Sequence, residues 1–144
     1  MEIRSKISRY YTVVKWVEQR KGVISCAGKP DIQVATPPEF KGHEGIWSPE
    51  NLFVESANVC VVKTFLAVAE RAGLAFTSYK SVAEGLLELV DGKFQFTAMT
   101  LKPTITLSVK ADAAKAKELI EKAEANCLIS NSMKASISLE PTIR

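Results

Sequence analysis

The chain has 144 residues, of which 47% are hydrophobic and 24% charged, with a formal net charge of +3. This length suits a single domain, 1–144, with enough apolar residues for a sizeable core. The Lys and Arg residues form no basic run that could follow phosphates, which argues against a nucleic-acid partner. The N-terminus lacks an apolar signal-peptide core, and no uninterrupted apolar stretch reaches the ~18 residues that span a bilayer. We therefore expect a cytoplasmic protein with no membrane partner.

Three short strands are predicted in the first quarter of the chain. Residues 9–18 are rich in Tyr, Thr, Val and Trp, and residues 22–26 and 31–36 flank a Gly-Lys-Pro-Asp turn. Residues 36–49 then contain three prolines and two glycines without periodicity, which indicates a loop. A loop of that length within a compact domain is often functional.

A long apolar helix is predicted to follow the loop. Ser48 is suited to cap the helix, Pro49 to its first position and Glu50 to the positive end of its dipole. The helix should run to about Ala72, with Gly73 just past its end. Its side chains are apolar nearly all round, which is typical of a central buried helix. Since ~24 residues make a rod of roughly 36 Å, one small sheet cannot cover it, and a second copy of the chain would do so.

The second half of the chain predicts a hairpin, a helix and a final strand. An Asp-Gly pair separates residues 77–90 from residues 93–109, which is a strong hairpin signal. Residues 113–126 form an amphipathic pattern after Asp112, and apolar residues alternate with polar ones over 133–140. Strand runs joined by hairpins favour an α+β fold with antiparallel pairing.

The chain contains three cysteines, Cys26, Cys60 and Cys127, and one histidine, His43. An odd number of cysteines argues against a disulfide scaffold, and the absence of a CxxC pair or a second histidine argues against a zinc site. Two interpretations stay open, which are buried inert thiols and redox chemistry.

Neither Cys60 nor Cys127 has a local reason to be reactive. Cys60 lies in the middle of the first predicted helix and Cys127 at the C-terminal end of the second, whereas a thiol pKa is lowered at a helix N-terminus. Any activation must then come from a cation that the fold brings close. The candidates are Arg20, Lys63 and Arg71.

Three segments resemble those of the OsmC/Ohr peroxidases, the osmotically inducible and organic hydroperoxide resistance proteins. TPPEFKGHEGIWSPENLF followed by ANVC is similar to the family's TPxEL…NPExLF…AxC stretch. EANCLISN followed by MKASISL resembles the second-cysteine segment, and EQRKGVIS resembles the segment with the catalytic arginine. The similarity covers about residues 10–140 and favours an Ohr-like or intermediate member. It departs from the family at Leu128, where proline is usual, and at Asn58, where small residues are usual.

The resemblance implies a fold of two curved antiparallel sheets around central helices in an intertwined homodimer. It also implies that Cys60 attacks organic (alkyl or lipid) hydroperoxides as a thiolate, and that Cys127 converts the resulting sulfenic acid to a disulfide. Arg20 would hold the thiolate and stabilise charge on the peroxide oxygens, and Glu50 would orient Arg20. No cofactor or metal is implied, and the reductant would be a dithiol such as a dihydrolipoyl protein.

Helix geometry adds one constraint on this site. Glu50 and Cys60 are ten residues apart on one predicted helix, so about 15 Å separates them along its axis. If both serve one site, either a long arginine bridges them or Glu50 comes from the other subunit. We favour the second arrangement, which places the active site near the subunit interface.

Simpler interpretations exist for each of these residues. Cys60 and Cys127 could be core thiols, Glu50 a dipole-stabilising residue, Arg20 a solvated strand-end residue and His43 an exposed loop residue. The chain as a whole could be a non-enzymatic binder of small apolar ligands, a stress protein or a redox sensor. Disulfide formation driven by peroxide distinguishes an enzyme from a binder.

Overall fold

A computed structural model describes residues 6–144 as two units that divide between Leu52 and Phe53. The first unit contains an antiparallel sheet of three strands in the order β1-β2-β3. All three predicted strands are present, with shorter ends than the sequence pattern indicated. They are β1 (Val13–Glu18), β2 (Lys21–Ser25) and β3 (Ile32–Ala35).

The predicted long loop after β3 is tied down by backbone hydrogen bonds. The N–H of Thr36 donates to the carbonyl of Arg20 at 3.1 Å, and the N–H of His43 donates to the carbonyl of Thr36 at 2.9 Å. A Cβ atom at Gly42 would lie only 1.7 Å from the carbonyl oxygen of Thr36, so this tight crossing requires glycine. The loop is therefore an ordered element that closes on itself.

The long helix α1 (Pro49–Ala72) begins as predicted. The Asn51 N–H donates to the Ser48 hydroxyl at 3.2 Å, and the Ser48 N–H donates in turn to the Asn51 side-chain oxygen at 3.0 Å. This reciprocal pair has the form of a capping box, with asparagine in place of the usual Glu or Gln. Gly73 follows the helix with a φ of 68°, the left-handed conformation of a glycine C-cap.

The second unit packs α1 and a second helix against a four-stranded sheet, and the predicted α+β class is confirmed. The Asp-Gly turn joins two 15-residue strands, and both turn residues have positive φ as this hairpin type requires. Asp112 precedes the second helix without making a side-chain capping bond. The elements are β4 (Phe76–Val90), β5 (Lys93–Leu107), α2 (Ala113–Ala125), β6 (Ser136–Leu139) and β7 (Thr142–Ile143).

The prediction of antiparallel pairing is wrong for the last two strands. β4 and β5 pair antiparallel, but β6 and β7 both pair with β5 in parallel. The chain leaves β5, passes through α2 and returns as β6, and a crossover through a helix brings the next strand back in the same direction. The second sheet is therefore mixed.

The core of the second unit lies between the buried face of α1, the sheet and α2. Its largest fully buried side chains are Phe65, Met99, Leu101, Ile105 and Ile120. By length and composition alone α1 could cross a membrane, with a mean hydropathy of 1.6 over its most apolar window. A core helix of a soluble protein passes the same test, and a third of that window is already buried. The opposite side of α1 leaves Val59 and Leu66 about half exposed in the single chain.

Gly85 of β4 is expected to tolerate no larger side chain, because its Cα lies against two neighbouring side chains. A Cβ atom there would lie 2.5 Å from Cγ2 of Val54 and 2.9 Å from the ring of Phe96. Gly85→Val should therefore lower the free energy of unfolding by roughly 1–3 kcal/mol, because it overpacks the contact between α1 and β4. Urea unfolding measures the loss. Lys80→Val, at an exposed position of the same strand, should stay within about 0.5 kcal/mol of wild type, and equal losses would contradict the packing argument.

Candidate active site

Two buried cysteines meet in the second unit. Cys60 lies on the buried face of α1 and is 4% exposed, and Cys127 lies just past the end of α2 and is fully buried. Both are free thiols, and the side chain of Cys127 lies near enough to Cys60 to lower the pKa of the Cys60 thiol. The fold thus brings together the two cysteines that are 67 residues apart in the sequence (127 − 60).

The chain makes a short helical turn immediately after α2. The N–H of Asn131 donates to the Cys127 carbonyl at 3.0 Å, and the N–H of Ser130 donates to the Cys127 sulfur at 3.4 Å. The hydroxyl of Ser132 donates to the Leu128 carbonyl at 2.7 Å. The helical segment of the turn is Ser130–Ser132, and Ile129 precedes it without making a side-chain capping bond. The backbone N–H groups of Leu128 and Ile129, at the start of the turn, lower the pKa of the Cys60 thiol.

These contacts shift the pKa of Cys60. Burial raises the pKa of the Cys60 thiol, but four other interactions favour the thiolate and together outweigh burial. They are the Cys127 side chain, the N–H of Ile129, the positive charge of Lys63 and the N–H of Leu128, in decreasing order. The pKa of Cys60 is consequently below its ordinary value.

Cys127 shifts in the opposite direction. Burial raises the pKa of the Cys127 thiol, and the neighbouring Cys60 raises it further. Ser130 opposes that rise in pKa through its N–H and its nearby hydroxyl. The hydroxyl oxygen itself is buried and has no hydrogen-bond partner among residues 6–144. Of the two thiols, Cys60 ionises more readily, which suits it to be the nucleophile.

The amide donors could not be expected from the sequence, in which neither cysteine lies at the N-terminus of a predicted helix. The turn after Cys127 supplies those amides instead, and its signal in the sequence is the Ser-Asn-Ser run at Ser130–Ser132. Short polar residues of this kind stabilise turns by bonding to the backbone. Lys63, one of the three candidate cations, does act on Cys60.

Arg20 and Glu50 lie in the first unit. The guanidinium of Arg20 is exposed and donates to the Phe40 carbonyl at 3.0 Å, at the edge of an open cavity of about 540 Å³. One carboxylate oxygen of Glu50 is buried and accepts no hydrogen bond from any described residue. No ion pair joins Arg20 and Glu50 within the described chain, so their pairing stays a prediction.

Cys26, His43 and Trp47 also belong to the first unit. Cys26 follows β2, and its sulfur is 3.6 Å from the ammonium of Lys29. His43 is partly buried in the loop, and Trp47 is about half exposed. Among residues 6–144 no group of three or more His, Cys, Asp or Glu side chains is arranged to hold a metal ion.

Asn58 has a structural use on the face of α1 that meets β4. Its side-chain amide donates to the Ser81 carbonyl at 3.1 Å, and its own side-chain oxygen has no partner in the described residues. The phenol of Tyr79, also on β4, is likewise unpartnered there, and burial raises the pKa of Tyr79 to about 12. Asn58 thus fastens the helix that carries Cys60 to the sheet.

The chain is similar in sequence to a family profile and to curated proteins of two bacteria. Residues 42–142 match the sequence profile described as OsmC-like protein. An uncharacterised protein, YmaD, of Bacillus subtilis is 26% identical over 91% of this chain and 90% of its own length. The peroxiredoxin OsmC of Escherichia coli K12 is 31% identical over 70% of this chain and 69% of its own length.

Solved structures show the same fold. An OsmC-like protein of unknown function from Vibrio cholerae superposes with a TM-score of 0.86 at 23% identity, over 94% of this chain and 99% of its own. An organic hydroperoxide resistance protein from Legionella pneumophila gives a TM-score of 0.73 at 22% identity, over 95% and 98%. With a family profile covering most of its length and a relative at 31% identity, the chain belongs to the OsmC-like family.

Proposed function

We propose that this chain is a thiol-dependent peroxidase that reduces organic hydroperoxides, with Cys60 as the attacking thiolate and Cys127 as the resolving thiol. The observation that carries the proposal is the contact between two buried thiols whose pKa values shift in opposite directions. The relative from Escherichia coli is named a peroxiredoxin, and the Legionella pneumophila protein is named for organic hydroperoxide resistance. Both names support a peroxidase-type role.

The reaction proceeds in three balanced steps. The Cys60 thiolate attacks one peroxide oxygen, the O–O bond breaks, and the alkoxide takes up a proton to leave as an alcohol, so that Cys60 becomes a sulfenic acid. Cys127 then attacks the Cys60 sulfur, and hydroxide leaves as water with the proton of the Cys127 thiol. A dithiol such as a dihydrolipoyl protein reduces the Cys60–Cys127 disulfide and is itself oxidised to a disulfide. No metal or other cofactor takes part.

Arg20 and Glu50 complete the proposed site. The guanidinium of Arg20 would stabilise the thiolate and the negative charge that develops on the leaving oxygen, and Glu50 would orient its planar fork. A buried carboxylate oxygen without a hydrogen-bond donor is costly, and that of Glu50 has none in the described chain. A cation from outside a single chain would satisfy it. This supports the arrangement in which the site is shared between two subunits.

A homodimer is part of the proposal. In the single chain both faces of β1 are exposed, including the large side chains of Val14 and Trp16, and α1 exposes Val59 and Leu66. Large exposed apolar side chains on each unit are what an interface with a second copy would bury. A second copy of the chain would cover it, in a cytoplasmic protein without nucleic-acid or membrane partners. The apolar surroundings of Cys60 favour alkyl or lipid hydroperoxides as substrates.

The test is a free-thiol count and intact mass of the reduced protein after one equivalent of cumene hydroperoxide. We expect the loss of two of the three thiols within seconds to minutes and a mass lower by two hydrogens, with no adduct. Cys26→Ser is the matched control, since it should lose the same two thiols. If no thiols are lost, Cys60 and Cys127 are inert core thiols, and a non-enzymatic binder of apolar ligands becomes the better interpretation.

A further inference from the structure

Ser130 carries a buried hydroxyl that its own turn does not use. The residue is 5% exposed, and its side-chain oxygen has no hydrogen-bond partner among residues 6–144. Both of its backbone groups are bonded, since the N–H donates to the Cys127 sulfur at 3.4 Å and the carbonyl accepts from the Met133 N–H at 3.1 Å. A buried hydroxyl without a partner lowers stability, and one reason for a protein to keep such a group is a role in its chemistry.

The other polar side chains of the turn differ from Ser130 in this respect. The side-chain amide of Asn131 donates to the Ala125 carbonyl at 3.3 Å, and the Ser132 hydroxyl donates to the Leu128 carbonyl at 2.7 Å. Both residues are exposed, and their bonds close the turn. The hydroxyl of Ser130 is therefore not needed for the structure of the turn and stays available to the sulfur beside it.

Covalent geometry keeps this hydroxyl close to the resolving sulfur. Its oxygen is joined through Cβ and Cα to the nitrogen of Ser130, which lies 3.4 Å from the sulfur of Cys127. Each staggered rotamer of the side chain thus leaves the oxygen in the neighbourhood of that sulfur. Cys127 is fully buried, so its thiol is shielded from solvent. The Ser130 hydroxyl is a group able to exchange a proton with a thiol that solvent does not reach.

The second step of the proposed reaction requires a proton to move at this place. Burial raises the pKa of Cys127, so this residue is still a thiol when Cys60 becomes a sulfenic acid. As the S–S bond forms and the S–O bond breaks, the thiol must lose its proton and the departing hydroxide must gain one. A hydroxyl is both donor and acceptor, so it can take up the first proton while it gives away its own.

We propose that Ser130 serves the resolving step: its N–H holds the sulfur of Cys127, and its hydroxyl carries the Cys127 proton to the hydroxide that leaves Cys60. The hydroxyl accepts one proton and donates another, so Ser130 ends the step unchanged and water is the product. This assignment rests on the proposed function and deepens it, because it names the group that enables a buried thiol to attack. Ser130 has no part in the first reaction, between Cys60 and the hydroperoxide.

Ser130→Ala should separate the two steps of the reaction. All variants carry Cys26→Ser, which leaves Cys60 and Cys127 as the thiols, and they react with one equivalent of cumene hydroperoxide without a reductant. Peroxide consumption should keep its wild-type rate in Ser130→Ala. Disulfide formation is followed by thiol loss and by dimedone trapping of the sulfenic acid in quenched samples. It should slow by roughly 10²-fold, the lower end of the range for a positioned proton-transfer group.

Ser132→Ala is the matched control, since it removes an exposed hydroxyl of the same turn that is bonded to the backbone. It should form the disulfide at the wild-type rate. Ser130→Ala should keep its urea-unfolding midpoint or raise it, because the hydroxyl that it removes is buried without a partner. With excess peroxide, the longer-lived sulfenic acid of Ser130→Ala should pass to a sulfinic acid, a gain of two oxygens in mass relative to the thiol.

A pH profile distinguishes proton transfer from a displaced sulfur. At alkaline pH Cys127 loses its proton before it attacks, so Ser130→Ala should approach the wild-type rate of disulfide formation. A Cys127 sulfur that had merely moved would react slowly at every pH. Slow resolution at every pH, wild-type disulfide formation at neutral pH, or an equal loss of rate in Ser132→Ala would each overturn the assignment.

Diamide in place of the hydroperoxide keeps this inference apart from the proposed function. Diamide adds to the Cys60 thiolate through its N=N bond, and Cys127 then displaces a hydrazine, which takes up the proton of the Cys127 thiol as the S–N bond breaks. Ser130→Ala should slow that displacement as well. A wild type that forms the disulfide with diamide but not with cumene hydroperoxide would contradict the peroxidase function alone, whereas no disulfide with either oxidant would overturn both proposals.

Discussion

Cys60→Ser is expected to abolish hydroperoxide reduction, lowering turnover by at least roughly 10³-fold, because a serine hydroxyl does not ionise near neutral pH and cannot act as the thiolate does. The measurement is the consumption of cumene hydroperoxide with dithiothreitol as reductant. Cys127→Ser should behave differently. Without added dithiothreitol, it should consume one equivalent of peroxide per chain in a rapid first turnover and accumulate a sulfenic acid at Cys60 that a dimedone-type reagent traps.

The pH dependence of the wild-type first turnover gives a second check on the same residue. Because the thiolate is the reactive form, the rate should rise with pH through the Cys60 pKa and level off above it. Since that pKa lies below the ordinary value of a thiol, the plateau should begin at a lower pH than for a free cysteine. Full activity in Cys60→Ser, or a rate that follows the raised pKa of Cys127, would reverse the assigned roles.

Several features of the fold could be predicted because their causes are local. The start of α1 depends on Ser48 and Pro49, and the long hairpin depends on two turn residues that accept positive φ. The direction of β6 is different, because the alternation that predicts a strand is the same for parallel and antiparallel pairing. Only the helical crossover through α2 decides it.

The same distinction between local causes and causes that depend on the fold applies to the candidate site. The two cysteines could be selected from the sequence through the motifs around them, but the amides of Leu128 and Ile129 could not. Every residue except proline carries an N–H, so its direction is a property of the turn and leaves no mark on composition. For Glu50 the opposite holds. Its residue type and position could be selected from the sequence, but the group that pairs with its buried oxygen depends on a dimer, which a single chain does not contain.

Arg20→Met is expected to slow the first reaction of Cys60 with cumene hydroperoxide by roughly 10²- to 10³-fold, the usual loss when one donor to a developing anion is removed from a preorganised site. Stopped-flow thiol loss at saturating protein measures it. Arg20→Lys should recover only part of the rate, since an ammonium keeps the charge but not the planar fork. Lys117→Met, at an exposed cation on α2, is the control and should react at the wild-type rate.

Mixed dimers then decide which subunit supplies the carboxylate. Glu50→Gln should slow the reaction in homodimers, because Arg20 loses the group that orients it. When Glu50→Gln chains are unfolded and refolded together with Cys60→Ser chains, a shared site predicts partial recovery of activity. Each mixed dimer would then pair the Cys60 of one chain with the Glu50 of the other. If both residues served a site within one chain, no mixed dimer would contain an intact set, and mixing would restore nothing. The ~15 Å between positions 50 and 60 along α1 favours recovery.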